Sequence, residues 1–148
     1  EYDACDVLKA EELFAIETVG SFTKNEKSDI QSIVAGMIGF KGAVHVAFGS
    51  EMKYETDAPD VIAASIDSQI LKNYKLWDSN YIAFELLQEK GLLPKSAAGM
   101  KFNSPEIKSE SREIFLDRLS SVDPKLHRHY LLNYANPVIS RSRNQASA

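Results

Sequence analysis

Asp78-Ser79-Asn80-Tyr81-Ile82-Ala83-Phe84-Glu85-Leu86-Leu87-Gln88-Glu89 is the stretch that sets the architecture. At about 100° of rotation per residue, Ile82, Ala83, Phe84, Leu86 and Leu87 cover an arc of about 200°, with only Tyr81, Glu85, Gln88 and Glu89 opposite. A surface helix shows a narrower apolar stripe, so this arc predicts a central helix packed on several sides. Asp78 or Ser79 supplies a side-chain oxygen for the first free amides, and Gly91 supplies the left-handed stop, with Leu92 placed for the accompanying apolar contact.

Working toward the N-terminus, Ile62, Ile66, Ile70 and Tyr74 repeat every four residues after Pro59, with Trp77 adjoining, which predicts a helix with one apolar face. Ile30, Ile33, Val34, Met37 and Ile38 give another such face. Thr23 with Glu26, and Ser28 with Gln31, each have capping-box spacing at its start. A first helix over about 4–19 is apolar on several sides (Val7, Leu8, Leu13, Phe14, Ile16, Val19) and reads as widely buried, by the core or by a partner. Residues 40–55 are ambiguous: Val44, Val46 and Phe48 alternate as in a strand, while Ala43, Val44, Ala47, Phe48 and Met52 suit a helix. Helix is the expectation there, since a lone strand would have no partner in the chain.

Working toward the C-terminus, residues 92–104 contain Pro94, Gly99 and Asn103-Ser104 without a sustained period and read as a long loop. Its Met100 and Phe102, between Lys95 and Lys101, either tuck back or meet a partner. Ser104-Pro105-Glu106 restarts a helix, and Asp123-Pro124 marks a tight corner before the last one. The expected fold is all-α: one bundle of about six or seven helices over residues 1–134, a long loop at 92–104, and a C-terminal extension, 135–148, read as a basic Ser/Arg tail.

At 148 residues the chain suits one domain. Leu, Ile, Val and Phe make up 39 residues, enough for a core and too many for intrinsic disorder. The lone cysteine, Cys5, excludes a disulfide-stapled fold. No apolar run reaches the roughly 20 residues of a membrane span, and residues 1–20 lack signal-peptide regions, so a soluble chain is expected, its localisation otherwise unbounded.

Charge is unevenly placed. Residues 1–123 carry 13 Lys and Arg against all 21 acids, a net of −8, whereas residues 124–148 carry Lys125, Arg128, Arg141, Arg143 and no acid. Glu106, Glu110, Glu113 and Asp117 fall at i, i+4, i+7 and i+11, within an arc of about 60° on the expected helix. They form an acidic ridge, readable as a solvated face or as a docking strip for a basic partner. Lys125 and Arg128 share a face of the last helix, and Arg141 and Arg143 alternate with serines. This basic end reads as a plain tail, as an arm reaching a neighbour's ridge, or as a weak nucleic-acid contact.

Other candidate chemistry is sparse. His127 and His129 are two residues apart, about 200° on a helix, so they cannot chelate one ion as an i, i+4 pair does. His127 falls among Leu126, Tyr130, Leu131 and Tyr134, as a packed histidine would, with pH sensing as its alternative role. Cys5 and His45 lack the flanking signature of a thiolate pair, so a structural cysteine is the better reading. Gly36, Gly39 and Gly42 match no phosphate-loop pattern and suggest close helix packing or helix termination. No metal or cofactor is expected. The leading functional expectation is a non-catalytic interaction or self-assembly module using the ridge and the basic end, with a protein partner or a homo-oligomer. The alternatives are a small-molecule or enzymatic pocket near His45 or His127, and weak nucleic-acid binding through the tail.

Overall fold

The helix over residues 78–89 forms with the burial its apolar arc requires. In the computed structural model, which describes residues 1–23, 26–52, 58–100 and 105–146, Ile82, Ala83, Phe84, Leu86 and Leu87 are all buried, while Gln88 and Glu89 face solvent. Six α-helices account for the regular structure of the described residues, together with two short 3-10 turns, at Lys95–Ala97 and Pro124–Leu126, and no strand. They are α1 (Asp6–Val19), α2 (Glu26–Ile38), α3 (Pro59–Asn73), α4 (Asp78–Glu89), α5 (Ser109–Ser120) and α6 (His127–Ala146).

The ends of α4 are locally determined. Its N-cap is Trp77, one residue before the expected caps, because the Asn80 side chain reaches back: Oδ1 accepts the Trp77 N–H at 2.8 Å. At the other end Gly91 adopts φ 66°, the Leu92 N–H donates to the Leu87 carbonyl at 2.8 Å, and the Gly91 N–H donates to Gln88 at 3.1 Å. This is the Schellman pair of bonds, and it turns Leu92 back against the core.

α6 is the other central element. Tyr130, Leu131, Tyr134, Ala135, Val138 and Ile139 are buried, and α4 and α1 both pack along the helix. Residues 135–146, read from composition as a tail, continue this helix as far as Ala146. The reason is packing: Ala135, Val138 and Ile139 extend the apolar face beyond Tyr134 and hold the later turns. Pro137 lies inside the helix and has no N–H to offer. One turn earlier, the Tyr134 carbonyl accepts the Asn80 Nδ2–H at 2.9 Å, a buried bond between α4 and α6. α5 completes the core with Phe115 and Leu119.

Three further expectations are corrected. Residues 40–52 form neither helix nor strand. α2 stops at Ile38, Gly42 takes φ 62°, and the Lys41 carbonyl is held by the Tyr2 N–H at 2.9 Å, which fixes an irregular path. α5 begins at Ser109 and not near Pro105, because Ile107 packs against the core and draws residues 105–108 into an irregular segment. α1 is not widely buried: only Asp6 and Ala10 are, and Val7, Ile16 and Val19 are exposed. The α2 and α3 stripes add no buried residue. In the loop after α4, Ala97 is buried and Met100 tucks against the core, whereas Lys101 and Phe102 lie outside the described residues.

Candidate functional site

The most constrained polar group in the molecule is one the sequence did not flag. Asp6, the first residue of α1, is 4% exposed. Its Oδ2 accepts the Tyr134 hydroxyl at 2.6 Å and the Arg118 Nη2–H at 3.1 Å, and its backbone carbonyl accepts the Asn133 Nδ2–H at 3.3 Å. The Tyr134 oxygen also accepts the Asp3 N–H at 3.2 Å. The Arg118 guanidinium lies over the Tyr2 ring at 4.8 Å and the Phe40 ring at 5.4 Å, and its buried Nε has no hydrogen-bond partner among the described residues. Phe115, Tyr130 and Tyr134 stack beside this pair, with centroids 5.3–6.2 Å apart. One carboxylate thus joins α1, α5 and α6.

Burial and the neighbouring Asp6 push the Tyr130 hydroxyl up to about 12, and the same causes raise Tyr134 further. Burial works against the Arg118 cation, but hydrogen bonding and attraction from Asp6 outweigh it, and its pKa is raised. The tyrosines have a consequence for stability. Below about pH 10 they are neutral folded or unfolded; above it the unfolded chain releases protons that the folded one retains, so stability is present below pH 10 and lost as pH rises through 12. Tyrosinate absorbance should show Tyr130 and Tyr134 ionising only as helical circular dichroism disappears. Six tyrosines titrating together near pH 10 with the fold intact would contradict the assignment.

The acidic ridge is narrower than its spacing implied. Glu110, Glu113 and Asp117 lie exposed on α5, opposite Phe115 and Leu119, and among the described residues none of the three forms an ion pair. Glu106 is exposed in the segment before the helix and so leaves the ridge. Arg112, on the inner side of α5, pairs with Glu85 at 3.1 Å and Glu89 at 3.7 Å on α4.

The structure ties Lys125, Arg128 and Arg141 to other elements than the ridge. Lys125 pairs with Asp123 at 2.8 Å across the corner before α6. Arg128 pairs with Glu17 of α1 at 3.1 Å, and Arg141 donates to the carbonyls of Leu71 and Tyr74 at the end of α3. Arg143 is exposed on the last turns of α6.

Of the histidines, His127 is half-buried with Nε2 at 2.9 Å from the Val122 carbonyl, which only accepts, so the ring proton sits on Nε2. The more buried histidine is His129: its Nε2 lies 2.8 Å from Glu17, Phe14 meets it edge-on at 5.9 Å, and its buried Nδ1 has no partner among the described residues. The helical wheel put His129 opposite the aromatic face. α1 covers that opposite side, and Leu132, half-buried there, was the available signal. His45 is exposed and lines a groove of about 450 Å³ with Lys41, Ile70, Tyr74 and Trp77, where Lys75 Nζ sits 4.0 Å over the Trp77 ring. Cys5 donates to the Ser32 carbonyl at 3.3 Å. Among the described residues no group of three His, Cys, Asp or Glu could hold a metal ion, and no helix is long and apolar enough to cross a membrane.

The largest anomaly is apolar. α2 turns its small residues inward: a Cβ on Gly39 would lie 2.7 Å from the Ala4 Cβ, and Gly36 faces the Cys5 sulfur. Its aliphatic stripe, Ile30, Ile33, Val34, Met37 and Ile38, is 45–80% exposed. Phe40, Val44, Val46 and Phe48 are exposed as well, as are Val61, Ile66 and Ile70 of α3. No family model, curated protein or solved structure matches the chain.

Proposed function

We propose that the protein is a non-catalytic helical module that works by association, docking through the aliphatic surface of α2, residues 40–48 and α3, with the acidic ridge of α5 as a second, electrostatic face. The observation that carries this reading is the exposure of the α2 isoleucines, while Gly36 approaches the Cys5 sulfur and Gly39, just past the helix end, approaches Ala4. Contiguous exposed apolar surface beyond a few hundred Å² marks an interaction site in soluble proteins. The basic end then serves the fold: Arg128 and Arg141 fasten α6 to α1 and to the end of α3, and the ridge is the charged surface left for a partner.

Salt separates the two faces. Screening weakens attraction to the ridge and, for copies of a net-acidic chain, favours apolar self-contact. The test is sedimentation of the full chain from low to high salt, together with bis-ANS fluorescence as a probe of open apolar surface. Association, or a monomer that binds the dye strongly, supports the reading; a monomer at every salt concentration that binds no dye overturns it. Truncation at residue 135 is not a usable control, since it removes buried Ala135, Val138 and Ile139.

A second reading, a small-molecule site, is favoured by the groove beside His45, whose volume falls in the range of ligand pockets. Lys41, Lys75 and Trp77 suit an anionic aromatic compound. Thermal stabilisation by such probes, lost in His45→Ala and Trp77→Ala, would support it; no stabilisation by any of them would set it aside.

A further inference from the structure

We infer that the occupant of the α2 surface is a second copy of this chain, paired antiparallel about a two-fold axis near Ala35. This rests on the association reading and names its partner. Ile30, Ile33 and Met37 have the 3-4 spacing of a coiled-coil seam, with Val34 and Ile38 flanking it, and Phe40 follows just past the helix end. In antiparallel pairing, one register serves the whole seam. With the axis at residue 35, Ile33 faces Met37 of the second copy, Ile30 faces its Phe40, and Asp29 faces its Lys41.

The charges suit that register. Asp29 is exposed near the start of α2. Lys41 lies just past its end, with Nζ bonded to the Met37 and Gly39 carbonyls at 3.3 and 3.0 Å. Antiparallel pairing therefore sets Asp29 of one copy against Lys41 of the other, and it also opposes the two helix dipoles. A two-fold contact is isologous, so each complementary pair is made twice.

The area is sufficient. The nine large apolar residues from Ile30 to Phe48 average about two-thirds exposed. At roughly 150–200 Å² per side chain they present on the order of 1,000 Å² per copy, against the roughly 800 Å² per partner of a standard stable interface. The helical seam alone spans less than two heptads and would be marginal. Val44, Val46 and Phe48 supply the remainder. A membrane surface is the poorer occupant, because α2 lacks the run of Lys and Arg that holds an interfacial helix on anionic lipid, and residues 1–123 carry net negative charge.

Sedimentation of the full chain tests the pairing. Wild type should run at twice 16.5 kDa at tens of micromolar, and more completely at higher salt. Ile33→Asp with Met37→Asp sets carboxylate against carboxylate twice, and should weaken the dimer at least about 100-fold while helical content is kept. Ile33→Asp with Met37→Lys sets opposite charges together in this register, and should bind at least about tenfold more tightly than the double aspartate at low salt. A double-aspartate dimer as tight as wild type, or an Asp/Lys variant no tighter than the double aspartate, overturns the inference. So does a wild-type monomer. If that monomer binds bis-ANS, the association reading survives with another occupant, lipid if it co-sediments with phosphatidylserine vesicles and a different protein if it does not. If it binds no dye, both fail.

Discussion

Asp6→Ala is expected to lower the stability of the fold by about 3 kcal/mol, the low end of what is lost when one partner of a buried ion pair is removed. The low end applies because the Arg118 side chain keeps 26% exposure, and water can reach part of the stranded guanidinium. The loss has three sources: the 3.1 Å pair with Arg118, the 2.6 Å bond from Tyr134, and the joint between α1 and the α5–α6 pair. At this chain length each kcal/mol moves Tm by roughly 2–4 °C, so a fall of about 10 °C should be seen. The cause can be isolated in a double-mutant cycle with Arg118→Ala. Once Asp6 is gone, removing the cation should cost much less than it does in wild type, because no unpaired charge is then left behind. Additive costs, or an Asp6→Ala loss under about 1 kcal/mol as for an exposed pair, would show that the group is not the joint described.

The second large effect concerns which residues form the core. Phe115 is fully buried, with ring centroids 5.3 Å from Tyr134 and 6.2 Å from Tyr130. Phe115→Ala should therefore cost about 3–5 kcal/mol in urea unfolding, through lost transfer energy and the cavity left behind. Ile33→Ala, on the exposed stripe of α2, should change the stability of the monomer by less than about 0.5 kcal/mol. By sequence the two positions look alike, each an apolar residue on an amphipathic helix. Equal losses at both would place α2 inside the core and contradict the burial described.

That contrast also marks how much of the fold was legible in the sequence. The apolar arc of residues 82–87 identified a central helix, and Gly91 its end, because both are local: side-chain direction follows from helical rotation, and a positive φ favours glycine. Helix content followed from periodicity for the same reason. Which helix face meets which neighbour is a tertiary matter. An isoleucine stripe shows that a face avoids water without showing what covers it, and the stripes of Ile30 to Ile38 and Ile62 to Tyr74 add nothing to the core.

The site was less legible still. Asp6 at a helix start reads as a favourable N-terminal charge, and nothing near it signals that its partner Arg118 lies 112 residues away. The wheel for α6 favoured His127 over His129 because it assumed one buried side, whereas α4 and α1 cover two. The ridge lost Glu106 because the packing of Ile107, two residues after Pro105, outweighed a good local start signal.

The most direct test of the central claim, that α2 stands outside the core and is covered by association, is amide hydrogen exchange of the full chain over a range of protein concentrations. α4 and α6 should exchange slowly and independently of concentration. The amides of α2 and residues 40–48 should be weakly protected in dilute solution and gain protection as concentration rises. Slow exchange of α2 at every concentration, matching α4, would contradict the account.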